Sequence, residues 1–137
     1  MYQRFSVEAR QSIIRASRVA RRFGRGYVST EDLLLDLLSH GDCTAGRVFA
    51  ALDCDVLELR RVVEAGIAAG GLPVPSRAVL HRAVEECRSL KHPCLGTGHL
   101  LLGLLREPQS VAGGVLHAAG LDAGRIRERI ADVPQEN

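Results

Sequence analysis

One nine-residue stretch dominates this chain because it occurs twice. Thr30-Glu31-Asp32-Leu33-Leu34-Leu35-Asp36-Leu37-Leu38 is followed, at an offset of 67 positions, by Thr97-Gly98-His99-Leu100-Leu101-Leu102-Gly103-Leu104-Leu105. Leucine-rich helices are common, so the flanks decide whether the likeness is accidental. Before the stretch, Arg10/Arg77, Arg15/Arg82, Ala16/Ala83 and Arg21/Arg88 match at the same offset. After it, Ala45/Ala112, Gly46/Gly113, Val48/Val115, Ala51/Ala118, Asp55/Asp122 and Arg60/Arg127 match without a gap. The chain is an internal duplication, and a fold for it must accommodate two like units.

At 137 residues the chain is long enough to bury a core as one domain. With 4% aromatic residues, leucine, valine and alanine must supply the packing. Periodicity and punctuation then give eight helices. Ser6 is placed to cap a first helix running to about Arg22, with Ala9, Ile13, Ala16 and Ala20 on one face and Gly24 and Gly26 ending it. Ser29 and Thr30 cap the second, whose first turn carries Glu31 and Asp32. A third helix spans about Thr44 to Leu52. A fourth opens on Asp55-Val56-Leu57-Glu58, which has capping-box spacing, and stops before Gly70-Gly71.

The second copy replays this over about Ser76–Leu90, Thr97–Arg106, Ser110–Ala119 and Asp122–Asp132. The expected fold is all-α: eight helices as two tandem four-helix repeats related by a pseudo-two-fold axis. Repeat one covers about 1–69, a connector 70–75, repeat two about 76–132 and a tail 133–137, which is expected to fray. The two second helices should be the most buried.

The residues exclude several chemistries. No phosphate-cradling glycine loop, nucleophile elbow or H-E-x-x-H run occurs. The five histidines share no metal-ligand spacing, and His92 and His99 suit helix-end or surface positions better than a metal site. No catalytic residue, metal or cofactor is expected. Cys43, Cys54 and Cys87 suit small core positions rather than disulfides, which points to a cytoplasmic protein. No apolar run approaches the roughly 18 residues of a membrane span. The first helix carries Arg10, Arg15, Arg18, Arg21 and Arg22, so nucleic-acid binding is an alternative function. A net charge of only +2 and the lack of interleaved aromatics favour a solvated helix face instead.

The duplicated Thr-x-x-Leu-Leu-Leu-x-Leu-Leu helix resembles the Clp N-terminal repeat domain of ClpC- and ClpA-type AAA+ unfoldases. Gly96-Thr97-Gly98-His99-Leu100-Leu101-Leu102-Gly103-Leu104 and Ser29-Thr30-Glu31-Asp32-Leu33-Leu34-Leu35-Asp36-Leu37 follow the family's central motif, and Phe5-Ser6 its opening. Val115-Leu116 with Gly120-Leu121, and more weakly Val48-Phe49 with Asp53-Cys54, follow its close. The resemblance spans about residues 2–132 without an ATPase part. It implies a non-enzymatic module that binds adaptor or substrate proteins, arginine-phosphorylated ones included, for a Clp ATPase and its ClpP protease. A fragment of an unfoldase and a free-standing adaptor or decoy both fit it.

Carried over by position, the resemblance implies one phosphoarginine site. Glu31 would meet the guanidinium and Ser6 the phosphate, with Thr30 beside them and Tyr2 and Phe5 in apolar contact. The second copy has Gly98 for the glutamate and Pro73 for the hydroxyl, so its site should be lost. Thr30 and Glu31 equally suit plain helix capping, and on sequence both readings stand.

Overall fold

In the computed structural model, residues 4–71 and 73–137 are described. The helices are α1 (Val7–Arg22), α2 (Thr30–Leu38), α3 (Thr44–Ala51), α4 (Val56–Ala68), α5 (Arg77–Ser89), α6 (Thr97–Leu105), α7 (Val111–Ala118) and α8 (Ala123–Ala131). Among the described residues there is no β-strand, only two isolated bridges, Phe5 with Leu95 and Ser29 with Pro75.

Six of the eight helices begin at a side-chain cap. Ser6, Ser29, Cys43, Asp55, Ser110 and Asp122 all accept the N–H three residues on, satisfying donors a helix start leaves open. Asp32 completes a reciprocal box with Ser29 and also pairs with Arg25 at 2.5 Å. Two helix ends show the duplication in backbone geometry. Gly24 and Lys91, 67 positions apart, both take left-handed φ, +73° and +58°. Asp53 and Gly120, at the same offset, take +56° and +80°. One partner in each pair is not glycine, so the turn, rather than the residue type, has survived in both copies.

The repeats interlock. The fourth helix of each copy packs on the third helix of the other, α4 on α7 and α8 on α3. α2 and α6 touch each other and lie among the remaining helices. All nine residues of α6 are buried, as are seven of the nine in α2. Leu34 and Leu101 are wholly inaccessible, as expected for central helices. Burial of these leucines supplies the main driving force, at about 2 kcal/mol for each fully buried side chain.

Small residues let the layers meet. On α1 the buried face is Ala9, Ser12, Ala16 and Ala20, with Ile13 half-buried. Gly103 on α6 lies so close to α5 that an added Cβ would sit 2.5 Å from the Val79 carbonyl oxygen. The first copy solves the same contact with charge. Its counterpart Asp36 takes a two-pronged bond from Arg15, at 2.9 and 3.1 Å.

Three expectations need correction. The tail is not frayed: Val133 to Asn137 folds back across the bundle, with Val7 N donating to the Asn137 backbone oxygen at 3.0 Å. His99 stands at a helix end, in the first turn of α6, but is not a surface group: it is 2% exposed and bonded to His92. All four cysteines are free: Cys43, which caps α3 through its sulfur, Cys87 and Cys94 are buried, whereas Cys54, expected in the core, is only half-buried.

Candidate functional site

Six of the eight helix N-termini gather into two junctions, each built from both repeats. The segment before α1 runs beside the segment before α6: Ser6 N donates to Leu95 O, and Leu95 N to Arg4 O, both at 2.8 Å. The connector before α5 runs beside the segment before α2: Thr30 N donates to Val74 O at 2.8 Å and Ser76 N to Val28 O at 3.0 Å.

The sequence-derived site residues divide between these junctions. Tyr2 lies outside the described residues. Phe5 is half-buried against the core, and Ser6 is fully buried at the α1–α6 junction. Thr30 and Glu31, both buried, sit at the α2–connector junction. Ser6 and Glu31 share no hydrogen-bond partner.

Glu31 does more than occupy the first turn of α2. Its Oε1 accepts from Val74 N at 3.1 Å. Its Oε2 accepts from Ala112 N at 3.1 Å and from the Thr30 hydroxyl at 2.6 Å. The carboxylate thus caps α7 of the other repeat and pins the connector, which suits a negative group at a helix N-terminus.

The α1–α6 junction holds a carboxylate that no repeat position foreshadows. Glu136 accepts from Thr44 N at 2.7 Å, Thr97 N at 2.7 Å, the Thr97 hydroxyl at 2.7 Å and the Ser6 hydroxyl at 3.0 Å. Burial pushes the Glu136 carboxyl up, but the Thr44, Thr97 and Ser6 donors together hold it below the usual carboxylate range. Thr97 is the repeat mate of Thr30, and each hydroxyl serves a carboxylate at a junction. Sequence reasoning missed Thr44, Thr97 and Glu136; Thr97 alone carried a signal, through its match to Thr30.

Beside this junction lies the histidine pair. Gly96 N donates to His99 Nδ1 at 2.8 Å, so His99 carries its proton on Nε2 and donates it to His92 Nδ1, also at 2.8 Å. Burial, reinforced by His92, lowers the His99 pKa to about 4. An unfolded histidine takes its proton near pH 6.5, whereas the folded one refuses it until about pH 4. Stability from this group is therefore complete above pH 6.5 and falls as pH drops toward 4. Urea titrations should show a loss of roughly 2 kcal/mol between pH 7 and pH 5. His99→Gln should flatten that slope, and an unchanged slope in the variant would refute the assignment. Among the described residues no cluster of three or more His, Cys, Asp or Glu is placed to hold a metal.

The outer face of α1 is different in character. Ile14 and Val19 are exposed on different sides of the helix, with exposed Phe23 at its C-cap and Tyr27 in the following loop, among exposed Arg10, Arg18, Arg21 and Arg22. On the Val19 side a cleft of about 350 Å³ is lined by Arg15, Arg18, Val19, Arg22, Leu35, Asp36 and Arg60, among others.

The sequence profile of the Clp repeat (R) N-terminal domain matches this chain twice in tandem, over residues 4–71 and 74–136. The chain belongs to the Clp repeat N-terminal domain family. Relatives of this Clp repeat domain include an ATP-dependent Clp protease ATP-binding subunit, ClpA homolog, of Brassica napus chloroplasts. It is 37% identical over 145 residues, covering 100% of this chain and 17% of the relative. The chloroplastic chaperone protein ClpC1 of Arabidopsis thaliana is also 37% identical, with 100% and 16% covered. The domain therefore corresponds to about one-sixth of such relatives. The Hsp104 N-terminal domain of Candida albicans shares the fold, with a TM-score of 0.69 at 16% identity over 98% of this chain and 95% of that one. No helix of the Clp repeat domain, among the described residues, is long and apolar enough to cross a membrane.

Proposed function

We propose that this Clp repeat domain is a non-enzymatic polypeptide-binding module that brings adaptor or substrate proteins to a Clp-type ATPase working with ClpP. The observation that carries this reading is the outer face of α1. Its Val19 reaches the surface at a cleft shared with Leu35 and the arginines Arg15, Arg18, Arg22 and Arg60. Apolar side chains rimmed by arginine suit a partner segment that mixes acidic and apolar residues.

The finer proposal is that an arginine-phosphorylated segment is among the ligands, using Tyr2, Phe5, Ser6, Thr30 and Glu31. Glu31 already serves three donors, so a guanidinium reaches it only by replacing the backbone N–H of Val74 or Ala112. Ser6 is better placed for an oxyanion, at the N-terminus of α1.

Fluorescence anisotropy with a labelled phosphoarginine peptide, and with the same peptide unmodified, tests both levels. Arg18→Glu with Arg22→Glu should weaken binding of acidic-apolar peptides at least tenfold, because two attractions become repulsions. Binding indifferent to the charge reversal would sink the α1 reading, and equal affinity for the two peptides would sink the phosphoarginine one. A random DNA duplex serves as the control: tight binding near 0.15 M salt with a steep inverse salt dependence would favour a nucleic-acid role instead.

A further inference from the structure

The two junctions are unequal in one respect. At the first, the carboxylate comes from the helix itself, Glu31 on α2. At the second, the corresponding position is Gly98, and the carboxylate is delivered by Glu136. The Gly98 position is crowded. A Cβ on Gly98 would lie 2.9 Å from Ile130 Cδ1 and 3.0 Å from Thr44 Cγ2. In the first copy the residue at the Ile130 position is Val63, which has no Cδ1. Ile130 crowds this position, and an acid on α6 there would have to displace the Ile130 terminal methyl and the Thr44 methyl by a few tenths of an ångström.

The donors that such an acid would satisfy remain. Three helix starts, those of α1, α3 and α6, direct the Ser6 hydroxyl, Thr44 N, Thr97 N and the Thr97 hydroxyl at one point. Four donors and no basic side chain describe a receptor for one oxyanion. The segment that fills it is held lightly. Gln135 and Asn137 are exposed and Val133 only half-buried. The attachments around Glu136 are single hydrogen bonds: Gln135 Nε2 to Ile130 O at 3.2 Å, and Val7 N to Asn137 O at 3.0 Å. With no large apolar anchor, the strap is held chiefly by the four bonds to Glu136 itself, so an anion that satisfies the same donors can take its place.

We propose that Pro134–Asn137 is a displaceable strap whose Glu136 carboxylate occupies the oxyanion receptor at Ser6, Thr44 and Thr97 in competition with an anionic side chain of a bound polypeptide. This regulation rests on the polypeptide-binding reading above. A ligand that needs the receptor binds only the fraction of molecules with the strap open, so its apparent affinity falls by that fraction.

The strap is tested first without any polypeptide. Inorganic phosphate is titrated into wild type, Glu136→Ala and Glu136→Gln while the backbone amide resonances of Thr44 and Thr97 are followed by NMR. Circular dichroism confirms that each variant is folded. Glu136→Ala should bind phosphate at least tenfold more tightly than wild type, with the Thr44 and Thr97 amides moving most. Glu136→Gln, which keeps an acceptor but no charge, should fall between. Equal phosphate affinity in all three, or shifts confined to other residues, would overturn the strap; so would Thr44 and Thr97 amides in Glu136→Ala that do not respond to phosphate.

A phosphoarginine peptide is then titrated into the same proteins. Tighter binding by Glu136→Ala with the same amide shifts supports regulation of polypeptide binding. Peptide binding that is equal in all three proteins and leaves those amides still would overturn the regulation while sparing the module's binding role. Phosphate bound at the receptor with no peptide bound by any protein would instead overturn the polypeptide reading and leave the strap standing.

Discussion

Gly113→Ala should cost this domain about 3 kcal/mol or more of folding stability, and Gly46→Ala nearly as much. The two glycines are repeat mates in the first turns of α7 and α3. Each packs against the loop that ends the preceding helix. A Cβ at Gly113 would lie 1.9 Å from the Glu107 carbonyl oxygen, and one at Gly46 2.3 Å from the His40 carbonyl oxygen. Both obstacles are backbone atoms, so no side-chain rotation relieves them; the helix must move, and α7 carries α4 with it.

Gly114→Ala is the control. Its nearest obstacle is the Pro108 carbonyl oxygen at an ordinary 3.6 Å. Alanine there should stabilise by up to about 1 kcal/mol, because it is the better helix former. Guanidinium denaturation of the three variants checks the set. A loss below about 1 kcal/mol at Gly113 would mean that the α6–α7 turn yields more readily than close packing allows.

Glu31→Ala should be the other large loss, about 3 kcal/mol, in the absence of any ligand. Removing the carboxylate leaves Val74 N, Ala112 N and the Thr30 hydroxyl without their acceptor. Each buried donor left unsatisfied costs about 1–3 kcal/mol, less where water enters the gap. Glu31→Gln should lose less, since its remaining oxygen keeps one side of the arrangement while its amide faces a donor on the other. Thermal or urea unfolding measures both. A Glu31→Ala domain as stable as wild type would mean that Glu31 is held in place for a ligand rather than for the connector and α7. That outcome would strengthen the phosphoarginine reading of this residue.

Much of this was legible in the sequence, and the reason is locality. Helix periodicity and the caps at Ser6 and Ser29 depend on groups three or four positions apart. The eight helices and the buried Leu34 and Leu101 therefore follow from short-range pattern, doubled by a duplication that repeats every signal. The oxyanion receptor did not. It joins Glu136 to Ser6 across 130 positions and to Thr44 across 92, and Glu31 meets Ala112 across 81. Nothing in a single sequence says which repeat's helix start a carboxylate will reach.

Grouping Ser6 with Glu31 assumed that a repeat keeps its own parts together. Tertiary packing exchanged them, because each copy buries its apolar faces against the other copy's helices as well as its own. His99 shows the same division. Its position in the first turn of α6 correctly disfavoured an imidazolium. Its burial, its neutral state and its bond to His92 came only from the loop folding over α6. Sequence determined the elements and the apolar face of each; the interlocking of two copies decided which polar groups meet, since burying both sets of leucines leaves only those helix starts side by side.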